Sequence, residues 1–132
     1  MFTLEEANAI LPKVKTILKS LRETRDRVLR IQAQIEIEEM TGMGPDGQLT
    51  SKAQTAIALQ TDEFQIYTSQ FEKLLDKLFR IGAHLKDLEK GLVDFYSLRD
   101  KELVFLCWVE GESKIRHWHP IEGGFKNRRL ID

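Results

Sequence analysis

The sequence predicts an α+β fold, mostly α: a long antiparallel helical hairpin, coiled-coil-like, followed by a small three-stranded antiparallel β-meander. Three observations carry that prediction. Apolar residues recur at alternating spacings of three and four through residues 1–90. A cluster of turn formers, Thr41-Gly42-Met43-Gly44-Pro45-Asp46-Gly47, interrupts the pattern once. From Gly91 onward the period falls toward two, and β-branched and aromatic residues appear. The chain of 132 residues reads as a single domain, 1–132. Its hairpin covers 1–90 with a tip loop at 41–51, and its meander and tail cover 91–132.

The first helix has a start signal. Thr3 suits an N-cap and Glu6 stands three residues on, which makes a capping box. Phe2 is placed to staple onto Ala7. Pro12 deletes a backbone donor inside the helical pattern, so a kink is expected there, or a short helix 4–10 with a new one starting near Pro12. The seam of helix one then runs through Leu4, Ala7, Leu11, Val14, Leu18, Leu21, Arg25, Val28, Gln32 and Ile35.

Helix two carries a matching seam from Ala53 through Ile57, Gln60, Phe64, Tyr67, Phe71, Leu74, Leu78, Ile81, Leu85 and Leu88. Folding the chain back at Asp46 sets Gln32 against Gln60 and Arg25 against Tyr67. The apolar layers then match, with Ile35 on Ile57, Val28 on Phe64 and Leu21 on Phe71. A paired amide layer avoids the cost of a lone buried one. Leu59, Ile66 and Ile31 fall off the seam and are left for a second chain. A homo-oligomer, a dimer or a four-helix-bundle assembly, is therefore expected.

Gly91 reads as the helix stop. Leu92–Tyr96, Glu102–Val109 and Lys114–His119 read as the three strands, with turns at Ser97–Lys101 and Glu110–Ser113. The end, from Gly123-Gly124-Phe125 on, reads as loop.

Composition excludes several classes. Lys+Arg number 20 and Asp+Glu 21, for a net charge of −1. That is a poor footprint for nucleic acid or an anionic membrane, and the small basic patch Lys126-Asn127-Arg128-Arg129 is too short to change it. No apolar run approaches the ~18 residues of a membrane span. One cysteine forbids an internal disulfide, and with no signal-like start the expected location is cytoplasmic.

The two ends of the chain resemble a known family. Phe2-Thr3, Glu6-Ala7-Asn8 and Leu11-Pro12 resemble its opening. Gly91-Leu92-Val93-Asp94-Phe95, Arg99, Leu106-Cys107-Trp108, Gly111-Glu112, Trp118-His119, Gly124-Phe125 and Arg128 resemble its close. The family is the uncharacterised prokaryotic domain of unknown function 2203. Tyr96 and Lys101 stand where Pro and Gly are expected, and His117 where Trp is common. The resemblance implies an alignment of parts and no established activity.

Two constellations carry chemistry. His117 and His119 alternate on a strand and share a face. If the following hairpin loop is Gly111–Ser113, Cys107 stands opposite His117; if it is Gly111-Glu112, Leu106 does. In the first register Cys107, His117 and His119 offer ligands for zinc or another late transition metal, with His84 or Asp94 as a fourth. The competing explanation is a buried thiol and two hydrogen-bonded imidazoles. The second constellation, Trp108, Trp118, Arg99 and Arg128 with Asp94, Glu112 and His119, suits a small anionic or planar ligand held by stacking and charge. Its competing explanation is that the indoles cover the outer face of the sheet.

Catalysis has thin support: no nucleophile elbow, phosphate loop or dinucleotide fingerprint is present. The expected function is a non-enzymatic, cytoplasmic, self-associating interaction module built on the hairpin. The alternative is a small-ligand or transition-metal site in the β segment.

Overall fold

The computed structural model describes residues 1–131. The chain forms two helices, α1 (Leu4–Thr41) and α2 (Ser51–Arg80), then five strands. These are β1 (His84–Asp87), β2 (Leu92–Arg99), β3 (Glu102–Val109), β4 (His117–Pro120) and β5 (Arg129–Leu130), with a 3₁₀ turn at Phe125–Asn127. The chain divides into two compact units. Residues 20–74 make one, and the segments 1–19 and 75 onward together make the other. No helix among the described residues is long and apolar enough to cross a membrane.

The predicted capping box forms. Thr3 N donates to Glu6 Oε1 at 2.9 Å and Glu6 N to Thr3 Oγ1 at 3.1 Å. Those bonds hold the Glu6 carboxyl below its ordinary range. Of the two alternatives at Pro12, the split into two helices does not occur, and α1 runs through it. An internal proline costs about 3 kcal/mol. Ala7, Leu11, Val14, Ile17 and Leu18 are buried on both sides of it, and that packing offsets the cost. Phe2, expected to staple onto Ala7, packs on the strands. Its ring meets Phe95 edge-on at 5.5 Å, and its backbone joins the sheet edge, with Phe2 N donating to Tyr96 O at 2.8 Å and Ser97 Oγ to Phe2 O at 2.6 Å.

In the unit of residues 20–74 the two helices run antiparallel. Arg27 Nη1 donates to the Tyr67 hydroxyl at 3.3 Å, and Thr50 N to Gly42 O at 2.9 Å near the tip. The seam on α1 differs from the predicted one by one residue at two layers. Thr24 and Ile31 are buried, whereas Gln32 is exposed. Tyr67 meets Arg27 rather than Arg25. The Gln32–Gln60 layer is therefore not made. Burying Ile31 gains apolar contact, and Thr24 satisfies its own hydroxyl on Ser20 O at 2.8 Å. A buried glutamine has no such local remedy. Ile31, expected to await a second chain, is covered within this unit. Leu59 and Ile66 remain 63% and 56% exposed.

In the other unit α2 stops at Arg80, well short of Leu88. Gly82 at φ 95 ends it, with Ala83 N on Leu78 O at 3.2 Å and Gly82 N on Phe79 O at 2.9 Å. That is a Schellman closure, and glycine enters the left-handed region without strain. A Cβ at Gly82 would also strike the Phe2 ring. His84–Asp87, expected as helix, is instead the first strand.

The sheet is a single antiparallel meander, β1-β2-β3-β4-β5, with five strands where three were expected. β2 extends to Arg99, so the β2–β3 turn is only Asp100-Lys101, and both residues adopt positive φ (51° and 69°). β4 covers His117–Pro120 rather than Lys114–His119, and the tail expected as loop supplies β5. β3 and β4 pair Cys107 with His117, Leu106 with Trp118 and Phe105 with His119. Of the two registers the sequence allows, this is the one with Cys107 opposite His117.

Candidate metal centre

Strand alternation sorts the β segment into two faces. Val93, Phe95, Ser97, Leu106, Trp108 and Trp118 share the face that meets the first turns of α1. There Phe95 meets Phe2, Lys15 Nζ lies 5.8 Å over Trp108, and Ile115 N donates to Asn8 Oδ1 at 2.7 Å. The opposite face receives a transverse row, because β1–β2 pairs His84 with Asp94, β2–β3 pairs Asp94 with Cys107, and β3–β4 pairs Cys107 with His117. All three histidines, the one cysteine and a buried aspartate thus come to one side of the sheet.

At the centre of this row stand Asp94, Cys107 and His119, all buried, with one ligand atom of each within 4.8 Å of the others. His119 Nδ1 lies 2.7 Å from Pro120 O and His119 Nε2 lies 3.0 Å from Asp94 Oδ2. A carbonyl only accepts, so Nδ1 carries the hydrogen. A neutral ring then aims its Nε2 lone pair at the carboxylate. Two acceptors at 3.0 Å need a proton or a metal cation between them. Asp94 Oδ1 is buried with no hydrogen-bond partner, an expensive state for a carboxylate oxygen.

The Cys107 thiol is pushed up to about 12, first by burial and then by the Asp94 charge, while Arg128 works the other way. With only a proton to bind, this sulfur is an inert thiol. Arg128 also grips Glu112 with both terminal guanidinium nitrogens, at 2.8 and 3.1 Å. Burial opposes ionisation of Glu112. The Arg128 bonds and the Val109 amide (2.9 Å) outweigh it and hold the carboxyl below its usual range. Arg128 is raised in turn, because its bonds to Glu112 exceed its own desolvation. His117 Nδ1 lies 3.4 Å from Glu112 Oε2.

The expected metal set was Cys107, His117 and His119. The cluster joins Cys107 and His119 to Asp94, and His117 lies outside it, drawn toward Glu112. His84, the other fourth-ligand candidate, sits edge-on between Phe79 and Tyr96, and burial followed by the Lys86 charge lowers its pKa. The ligand-binding set is divided by the sheet. Asp94, His119, Glu112 and Arg128 gather near the cluster, while Arg99, Trp108 and Trp118 belong to the other face. Trp108 is fully buried, with Nε1 donating to Glu112 O at 3.0 Å. The Pro120 carbonyl, which fixes the His119 tautomer, left no signal in the sequence, since any backbone can supply it.

The family described as an uncharacterized conserved protein, DUF2203, matches residues 1–131. The chain belongs to this family. Neither a curated protein nor a solved structure gives a match. Family membership covers both halves of the fold and every residue of the Asp94–Cys107–His119 cluster.

Proposed function

We propose that this DUF2203 protein binds one transition-metal ion of the zinc class through Asp94, Cys107 and His119. The observation that carries the reading is the buried Asp94 Oδ1 without a hydrogen bond, in a cluster where His119 Nε2 lies 3.0 Å from the same carboxylate and one ligand atom each of Asp94, Cys107 and His119 lies within 4.8 Å of the others. The His119 Nδ1–H bond to a backbone carbonyl is the outer-shell contact that orients metal-ligating imidazoles. A mixed carboxylate, thiolate and imidazole set suits zinc or cobalt better than magnesium or calcium. Water or a rotated His117 completes the fourth position. The burial of the three ligands favours a binding or structural role over turnover.

Titration of chelator-treated protein with cobalt(II) tests this. One equivalent should give thiolate-to-cobalt charge-transfer absorption, lost in Cys107→Ser and in His119→Ala. Cobalt absorption without the charge-transfer band, or a band that survives both substitutions, would sink the reading.

A second reading keeps the hairpin as a self-association surface. Its support is the exposure of Leu29, Ile37, Leu59 and Ile66 on the unit of residues 20–74. The partner under this reading is a second copy of the chain, and the buried reduced thiol suits the cytoplasm.

A further inference from the structure

The sheet face opposite the metal cluster holds a cavity of about 410 Å³, of the size that takes small ligands. Phe2, Leu4, Val104, Leu106 and Trp118 give it an apolar wall, and Arg99 stands on its rim. The Arg99 guanidinium lies 4.8 Å over the Trp118 ring, and Arg129 lies 5.2 Å over the same ring. Among the described residues neither arginine has a carboxylate partner. A guanidinium held over an indole still has N–H groups that can receive a carboxylate.

We infer that this cavity binds a small amphiphilic monocarboxylate, its head on Arg99 and its apolar body against Phe2, Leu106 and Trp118. The cavity is independent of the metal cluster, because the sheet separates them and they share no residue. An apolar ligand without charge would leave the arginines as they are. A multiply charged ligand would find no use for the apolar wall. The observations therefore favour one negative charge joined to one hydrophobic body.

Calorimetric titration of the full chain with octanoate, with 1-octanol as the uncharged control, tests the assignment. Octanoate should bind saturably at one per chain, and 1-octanol much more weakly. Arg99→Gln should weaken octanoate by about tenfold or more, the loss of one charged hydrogen-bonding group. Arg99→Lys should recover part of it. Binding should persist in His119→Ala, which separates this site from the metal reading. Equal affinity for octanol and octanoate, unchanged affinity in a folded Arg99→Gln, or no saturable binding of octanoate would each overturn it.

Discussion

Asp94 is one carboxylate with two differently placed oxygens. Oδ2 faces His119 at 3.0 Å, and Oδ1 makes no hydrogen bond, although the Cys107 thiol lies in the same cluster. Asp94→Asn should separate stability from chemistry. The asparagine amide can donate to the His119 Nε2 lone pair, so the metal-free variant should unfold within about 1 kcal/mol of the parent in urea. Its cobalt affinity should nevertheless collapse, because a charged ligand is gone. A variant that keeps parental cobalt affinity would remove Asp94 from the centre. Cys107 gives a pH signature. Its folded pKa is raised from 9.0 to about 12, so above pH 9 the unfolded chain loses a proton that the folded chain keeps. Unfolding is then favoured as pH rises, and the contribution is fully present only below pH 9. Metal-free protein should lose thermal stability between pH 8 and pH 11, and Cys107→Ala should show a shallower decline. Identical slopes would mean that the thiol is not held in its protonated form.

At the scale of elements, the Asp100-Lys101 turn joins β2 and β3 with φ of 51° and 69°. Two-residue hairpin turns of this kind match the strand twist but need residues that tolerate positive φ. Lys101 carries a Cβ into that region, at a position where the family resemblance led us to expect glycine. Lys101→Gly should stabilise the protein by about 1 kcal/mol, read as a raised urea midpoint with unchanged slope. Lowered stability would show that the lysine side chain contributes more than its backbone strain costs. The same element shows how far sequence alone reaches. The span of β3 was legible from its run of apolar residues, and the Thr3–Glu6 box from spacing. The length of β2 was not, because a turn signal there would have required a glycine at 101. β1 was hidden for a different reason: His84-Leu85-Lys86-Asp87 continues the helical spacing of α2, and only the Gly82 closure interrupts it. The cluster was half legible. His119 announced itself by alternation, but strand pairing, not spacing, set Asp94 rather than His117 beside Cys107.

For the molecule as a whole, the exposed face of the hairpin bears on whether chains associate. The burial of Ile31 inside one chain removes part of the stripe expected to await a second. Leu59 and Ile66 remain exposed on α2. If they hold a partner, the double substitution Leu59→Lys, Ile66→Lys should convert an oligomer to monomer in light scattering while leaving the cobalt spectrum unchanged. A parent that is already monomeric at tens of micromolar, or a substituted protein of undiminished mass, would end the self-association reading. Keeping the spectrum as a second readout shows that the unit carrying Asp94, Cys107 and His119 is still folded.

Phe2 bonds to Tyr96 and Ser97, and Asn8 to Ile115, across nearly the whole length of the chain. A ribosome making this protein releases those two sets of residues far apart in time. Residues 20–74 contain everything needed for their own pairing and can zip up early, whereas the opening segment must wait for the strands that receive it. Closure of a long loop is slow relative to local pairing. Nascent chains stalled before β2 should therefore carry an ordered hairpin and an unsheltered opening segment, and the proposed metal ligands Asp94, Cys107 and His119 meet only after the hairpin has been made.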